Sequence, residues 1–275
     1  MSYFKALGLE KEPFSTSPDP QFFYHSTSHN TVLKRLEIAV RLRRGLCLVL
    51  GDVGTGKTTL SRTLLQAFKD EPNFIFHMML DPSFSSEFQF LLGLVKMFGI
   101  TPAFKSTLDF KEALEKYLFQ KGAEENKTIV LLIDEGQKIT PENLEVLRTL
   151  LNFETNEYKL LQLIIMAQVE LLPRIKRVHN FIDRVALKYT INPLDENETK
   201  EMIGFRLRAA GHKGPEPIFT DEAVQLVYFY TQGYPRKISM LCHDALETCV
   251  MQGGSKVDLA IINGLIAMRE DHAQR

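Results

Sequence analysis

A glycine-rich segment with a following lysine and threonine carries the clearest chemistry in this chain. An apolar run, residues 46–50, leads into the sequence GDVGTGKT, which fills the spacing G-x-x-x-x-G-K-[ST] without a mismatch. The glycines let the loop curl so that successive backbone N–H groups point at phosphate oxygens, and the following helix presents its positive dipole end to the same anion. We therefore predict a P-loop that binds a nucleoside triphosphate through Gly51, Asp52, Val53, Gly54, Thr55, Gly56, Lys57, Thr58 and Thr59.

Two side chains of the P-loop have separate predicted tasks. Lys57 can bridge β- and γ-phosphate oxygens, and the Thr58 hydroxyl is a hard oxygen ligand for Mg²⁺. The predicted cofactors are thus a nucleoside triphosphate and Mg²⁺.

A pair of acids follows a second apolar run and predicts the hydrolytic half of the site. Asp134 and Glu135 come directly after residues 129–133, as in a Walker B strand, where an acid at the carboxyl end of a buried strand meets the ligand. Asp134 would hold the Mg²⁺ hydration shell, and Glu135 would orient and polarise the attacking water. Asp81 is the rival because it also ends an apolar run, but only the tandem acid supplies both roles. The alternative for Glu135 is a solvated loop acid.

Hydrolysis also needs a polar group near the γ-phosphate and positive charge on the transition state. Gln168 follows the fourth apolar run directly and is placed for the first task. Four arginines are candidates for the second: Arg174, Arg177 and Arg184 lie between the fourth and fifth runs, and Arg236 begins a helix after Gly-Tyr-Pro. Position is the only evidence for each arginine.

Strand-length apolar runs alternate with helical patterns over the first two thirds of the chain. They begin near residues 46, 74, 129, 160 and 185, which predicts a five-stranded parallel sheet covered by helices on both faces. Beyond about residue 193 the period is helical throughout. We predict an N-terminal strap over residues 1–30, an αβα domain over 31–193 and an α-helical lid over 194–275. The proline- and aromatic-rich strap either packs on the core or covers the nucleotide base.

Composition limits the partner and the compartment. A net charge of −1 and a pI near 6.7 give no global attraction for nucleic acid, although residues 41–44 or 206–213 could form a local basic patch. The three cysteines lack metal or disulfide spacing and predict buried, reduced thiols. The apolar runs are shorter than a membrane span and the first residues lack a signal-peptide pattern, so we expect a cytoplasmic protein.

Several separated motifs together resemble one family. The N-terminal PF…SPDPQFFYHSTSH, the P-loop GDVGTGKTT, LLIDEGQ, LRTLLNFETNEYKLLQLIIMAQVELL and GYPRKISMLCHDAL are similar to AAA+ ATPases of the general secretion pathway protein A (ExeA-like) type. The resemblance implies a RecA-like αβα ATPase domain with a helical lid, ATP with Mg²⁺, and a homo-oligomer, as a ring or a nucleotide-dependent dimer, with sites shared between subunits. It assigns Gln168 to sensor 1, Arg236 to sensor 2, and either Arg184 or Arg177 to the arginine finger.

The sequence departs from that family in two places. Members that build secretion machinery often continue into a membrane span and a peptidoglycan-binding region, which the 275 residues do not contain, so we expect no wall-anchoring role. Gly136 stands where the family usually has alanine, which we expect to loosen the turn after Glu135.

Three functions remain open on sequence grounds. The first is an ATPase that couples nucleotide state to assembly or regulation of a secretion, pilus or polysaccharide-export machine, located in the cytoplasm or held at the inner membrane by an envelope-machinery partner. The second is a DNA-acting AAA+ ATPase of the transposition target-selector or loader type. The third is a nucleotide-dependent interaction switch with little turnover, against which the intact Asp134–Glu135 pair argues.

Overall fold

The computed structural model describes residues 3–17, 19–101 and 106–273, and these form two compact units. The sheet unit contains residues 28–53 and 60–191, and the helical unit contains the described parts of residues 1–27, 54–59 and 192–275. Residues 1, 2 and 18 of the predicted strap and residues 274 and 275 of the predicted lid lie outside the described residues. The three-part division predicted from sequence stays a prediction.

The sheet unit is built on five parallel strands: β1 Leu46–Gly51, β2 Phe74–Met79, β3 Thr128–Ile133, β4 Leu161–Ala167 and β5 Val185–Ile191. Their order in the sheet is β2-β3-β4-β1-β5. Every residue of the three central strands is buried, whereas β5 alternates between partly buried and exposed positions, as an edge strand does. This difference explains why the central runs are continuously apolar and why LKYT in β5 carries polar residues.

Short polar side chains cap the starts of two helices. Thr140, which directly precedes Pro141, accepts a hydrogen bond from the backbone N–H of Asn143. Asp195 forms a capping box with Glu198. The helices are α1 Tyr3–Ala6, α2 Thr27–Arg41, α3 Lys57–Ala67, α4 Glu87–Met97, α5 Thr107–Phe119, α6 Pro141–Leu150, α7 Leu171–Ile175, α8 Glu196–Ala209, α9 Asp221–Thr231, α10 Pro235–Met251 and α11 Leu259–Ala273. No helix of the described chain is long and apolar enough to cross a membrane.

The strap packs within the helical unit. Leu9, Phe14 and Phe22 are buried in the same apolar core as α8, α9 and α10, and the ring of Phe14 meets that of Phe219 edge to face at 6.0 Å. The Tyr24 hydroxyl donates a hydrogen bond to Glu201. These strap residues therefore pack on the apolar core of the helical unit, which is the first of the two alternatives that the sequence offers.

The cysteines are buried and form no disulfide. Burial raises the pKa of the Cys47 thiol in β1 to about 12, because the thiolate is poorly solvated there.

Candidate functional site

Strand order brings the predicted reactive residues to one edge of the sheet. In β2-β3-β4-β1-β5 the strands β3, β4 and β1 are neighbours and parallel, so their carboxyl ends lie along the same edge. Asp134 follows β3, Gln168 follows β4, and Gly51 ends β1 where the P-loop starts. The carboxyl edge of an open parallel sheet is where ligands bind in this class of fold.

The P-loop has the backbone that phosphate binding requires. Gly54 and Gly56 both have positive φ, at 83° and 95°, a conformation that glycine adopts without the cost that a Cβ would add. Helix α3 starts at Lys57, so the positive end of its dipole lies at this loop. Thr55 is fully buried and Lys57 is only 8% exposed. The loop therefore suits a polyphosphate. The lysine ammonium can donate hydrogen bonds to phosphate oxygens, and the Thr58 hydroxyl can supply an oxygen ligand for Mg²⁺.

Asp134 and Asp81 have different environments although each follows a strand. Asp134 is 2% exposed, at the end of a central strand, and its Oδ1 accepts the backbone N–H of Glu135 at 3.0 Å. Asp81 follows the edge strand β2, and hydrogen bonds from Ser83 and the Lys138 ammonium 3.5 Å away lower the pKa of its exposed carboxyl. Asp81 thus closes its own turn, and Asp134 has the buried strand-end position of a Walker B acid.

Glu135 sits in a strained backbone conformation and is held by a neighbouring amide. Its φ is +53°, in the left-handed region, so its backbone costs about 1–3 kcal/mol relative to an ordinary residue. The Nε2 of Gln137 donates to Glu135 Oε2 at 2.7 Å, and Gln137 Oε1 accepts the backbone N–H of Gln168 at 3.1 Å. The side chain of Gln137 therefore connects two predicted site residues, Glu135 and Gln168. Gln137 was not among the residues predicted from the sequence. The motif DEGQ contained that signal, because the amide lies two residues after the acid.

Gly136 is packed tightly, and the expectation of a loosened turn was wrong. The residue is buried, and a Cβ added to it would lie 2.4 Å from Ile165 Cγ2 and 3.2 Å from the Cβ of Ala167. Ile165 and Ala167 belong to β4, so this glycine lets the turn after β3 lie directly against the neighbouring strand.

Arg236 lies beside the P-loop within the helical unit. Its backbone N–H donates to the carbonyl oxygen of Gly54 at 3.2 Å, and a Cβ on Gly54 would lie 2.8 Å from the Arg236 Cβ. Arg236 is in the first turn of α10, which Pro235 begins. The amino end of this helix is thus positioned by the loop that would hold the phosphates.

The arginines between β4 and β5 differ in what they contact. Arg174 donates to the backbone carbonyl of Ile139 at 3.2 Å, which gives it a structural task, whereas Arg177 is exposed. Arg184 immediately precedes β5 and therefore lies at the amino edge of the sheet, opposite the edge that carries Glu135. There it borders a cavity of about 290 Å³ with Arg44. An arginine at this edge cannot serve Glu135 of its own sheet.

Three arginines of the two basic stretches that could bind DNA are buried or engaged in folding contacts. Arg41 pairs with Glu71 at 2.6 Å, and Arg43 lies over the Tyr158 ring at 4.2 Å while its Nε donates to Thr128. In the second stretch, burial lowers the pKa of Arg206 to about 10.

Comparisons with known proteins agree with this geometry. A family model described as an AAA domain matches residues 40–175. General secretion pathway protein A of Aeromonas hydrophila is 34% identical over 264 residues, which are 93% of this chain and 46% of that protein. The chain therefore spans about half the length of this curated relative.

Two solved structures of low identity share the fold. The Aeropyrum pernix ORC2 protein superposes with a TM-score of 0.68 at 16% identity, over 94% of this chain and 71% of that chain. Drosophila ORC bound to DNA gives a TM-score of 0.69 at 24% identity, over 96% of this chain and 65% of that chain. The matched AAA domain and the identity to the Aeromonas protein show that this chain resembles AAA proteins of the general secretion pathway protein A type, and the solved structures show that it shares their fold class.

Proposed function

We propose that the protein binds ATP with Mg²⁺ and hydrolyses the β–γ phosphoanhydride bond. The observation that carries the proposal is the strand order: the P-loop strand, the residue Gln168 and the pair Asp134–Glu135 all end at one edge of the sheet. The A. pernix ORC2 structure, in complexes with ADPNP and ADP, supports nucleotide binding by this fold.

Each residue has a task that its chemistry allows. Lys57 holds β- and γ-phosphate oxygens, and Thr58 and Asp134, the latter through water, would hold Mg²⁺, which neutralises phosphate charge when bound. Glu135 orients a water and accepts its proton as the water oxygen attacks the γ-phosphorus. The Gln168 side-chain amide donates to a γ-phosphate oxygen. Arg236, whose backbone N–H contacts Gly54, links the P-loop to the first turn of α10.

The active form is proposed to be a homo-oligomer, either a ring or a nucleotide-dependent dimer. Arg184 lies at the sheet edge opposite Glu135, so it would act as the arginine finger on the nucleotide of a neighbouring subunit. Exposed Arg177 is the second candidate for that task. Each arginine is replaced by alanine in turn, and each inactive variant is then mixed with the Glu135→Gln variant. Activity returns in a mixture only if the arginine and Glu135 act across a subunit interface.

Steady-state ATPase measurements on matched variants test the hydrolytic assignment. We expect Lys57→Ala to lose ATP binding, and Glu135→Gln to bind ATP but turn over on the order of 10²-fold more slowly or worse. Asp81→Asn is the matched control, since it also replaces an acid after a strand, and it should keep the wild-type rate. Wild-type turnover in Glu135→Gln, or its loss in Asp81→Asn alone, would refute the assignment. Binding without turnover in the wild type would favour the interaction switch.

We further propose that nucleotide state is coupled to assembly or regulation of a secretion, pilus or polysaccharide-export machine. The support is the 34% identity to a protein named for the general secretion pathway. The expected location is the cytoplasm, with attachment to the inner membrane through a protein partner. Co-purification with Glu135→Gln, which would accumulate the ATP-bound form, should recover an envelope-machinery protein, and a deletion strain should be defective in secretion, pili or polysaccharide export. Normal export in the deletion strain, together with recovery of no envelope-machinery protein, would refute the proposed coupling to such a machine.

A DNA-acting ATPase of the target-selector or loader type is the second candidate. The structural neighbour described as bound to DNA favours it. The engagement of Arg41 and Arg43 in folding contacts argues against it. ATPase stimulation by duplex DNA that falls steeply with added salt would support DNA action, and absence of a mobility shift at low salt would remove it.

A further inference from the structure

A single glutamine side chain joins the ends of two strands at the candidate site. Gln137 lies in the short 3-10 turn Gly136–Lys138 that follows β3, and its side chain is half-buried. One end of its amide reaches Glu135 and the other reaches the backbone of Gln168, at 2.7 and 3.1 Å. Its hydrogen-bonding groups are therefore used between the residue that would activate water and the first residue after β4.

The orientation of this amide is determined by its two partners. The backbone N–H of Gln168 can only donate, so the Gln137 oxygen must face it. The amide nitrogen then faces the Glu135 carboxylate, which accepts when ionised. A flipped amide would place donor against donor at one end and acceptor against acceptor at the other.

The backbone of Glu135 makes such a support necessary. Its φ of +53° places it in a left-handed turn, outside the strand that rigidly positions Asp134. A base works only if its carboxylate is held within a few tenths of an ångström of the productive position. The bond to Oε2 fixes one carboxylate oxygen, and a carboxylate has further lone pairs with which to accept a proton from water.

We propose that Gln137 is a positioning residue that orients the Glu135 carboxylate and ties it to the end of β4. The inference rests on the proposed ATP hydrolysis and deepens it. Gln168 is the residue proposed to contact the γ-phosphate, so a shift of its backbone on ATP binding changes the bond to Gln137 and, through it, the place of Glu135. The water-activating group and the γ-phosphate contact then respond as one unit to the presence of the γ-phosphate.

The first test is Gln137→Met, which keeps the length of the side chain and removes both hydrogen bonds. We expect kcat to fall by about 10- to 100-fold while the Kd for ATP stays within about 2-fold, because the base is misplaced and the phosphate-binding loop is untouched. In the double variant with Glu135→Gln, the rate should equal that of Glu135→Gln alone, since Gln137 acts only through that carboxylate.

Gln162→Met is a matched control, because it removes another bridging glutamine of the same sheet. Gln162 Oε1 accepts the backbone N–H of Gly45 at 2.7 Å and its Nε2 donates to the Lys159 carbonyl, at the amino edge of the sheet. This variant should melt at a lower temperature and keep the wild-type kcat. A merely structural role for Gln137 predicts the same behaviour for both methionine variants, and that result would overturn the proposal.

Gln137→Glu supplies a readout that a loss of packing cannot mimic, and it remains informative if the methionine variant folds poorly. Two carboxylates would then face each other, and the introduced group can donate only when protonated. We expect the ratio of variant to wild-type kcat to rise as the pH is lowered from about 8 to about 6. A ratio independent of pH would refute the positioning role. Loss of turnover in the wild type itself would instead refute the proposed hydrolysis, which separates the two failures.

Discussion

Replacing Gly136 by alanine tests how closely the turn after β3 is packed against β4. The added Cβ would lie 2.4 Å from Ile165 Cγ2, 3.2 Å from the Cβ of Ala167 and 3.2 Å from the carbonyl oxygen of Met166. Carbon atoms in contact need about 3.5 Å. The turn must therefore move by about 1 Å, or Ile165, which is fully buried, must change its position.

The cost follows from the size of that clash. Overpacking a filled core costs about 1–3 kcal/mol. For a chain of this size we expect each kcal/mol to lower the melting temperature by about 2–4 °C. A displacement of about 1 Å also carries Glu135 away from its productive place, so kcat should fall by up to about 100-fold.

Thermal unfolding followed by far-UV circular dichroism and steady-state ATPase rates measure both effects. Gly264→Ala is the matched control, because this helical glycine has nothing within 4 Å of an added Cβ and should gain up to about 1 kcal/mol from helix propensity. Ile165→Leu removes the clashing branch at little cost in volume, and combining it with Gly136→Ala should restore part of the lost stability. A Gly136→Ala protein with wild-type melting temperature and kcat would refute the reasoning, as would a double variant that shows no coupling.

Three further predictions use other features of the structure. Gly233 has a φ of +73°, and a Cβ there would lie 1.8 Å from the Leu194 carbonyl oxygen, so Gly233→Ala should destabilise the protein far more than Gly253→Ala, which has φ +72° and open space. Equal melting temperatures for those two variants would contradict this packing. Cys47, with its pKa raised to about 12, should resist alkylation at pH 8 until denaturant is added, and fast labelling of the native protein would exclude its burial. Burial lowers the pKa of His77, so the unfolded chain binds a proton more readily and stability should decrease as the pH falls below about 6.5. His77→Phe should reduce that decrease, which denaturation at a series of pH values measures.

The fold was predictable from the sequence because its signals are local and repeated. Continuous apolar runs indicated the strands that are buried on both faces, since side chains of a strand point to opposite faces. Helix starts at Thr140 and Asp195 followed from short polar side chains that accept from the backbone nearby. Strand order did not follow from these signals, because it depends on which crossover each helix makes.

The sequence alone predicted the P-loop, because the proposed phosphate binding would use backbone groups that glycines at fixed spacing expose, and that requirement is local. It also determined that an acid pair and a glutamine each follow an apolar strand. Tertiary structure alone decided that β4 lies between β3 and β1, that Gln137 links Glu135 to the end of β4, and that Gly136 must remain small. These depend on contacts between residues about 30 or more positions apart, from Gln137 with Gln168 to Leu46 with Leu163. A linear motif contains the residue types for such contacts, but the packing of one strand end against another determines which of them meet.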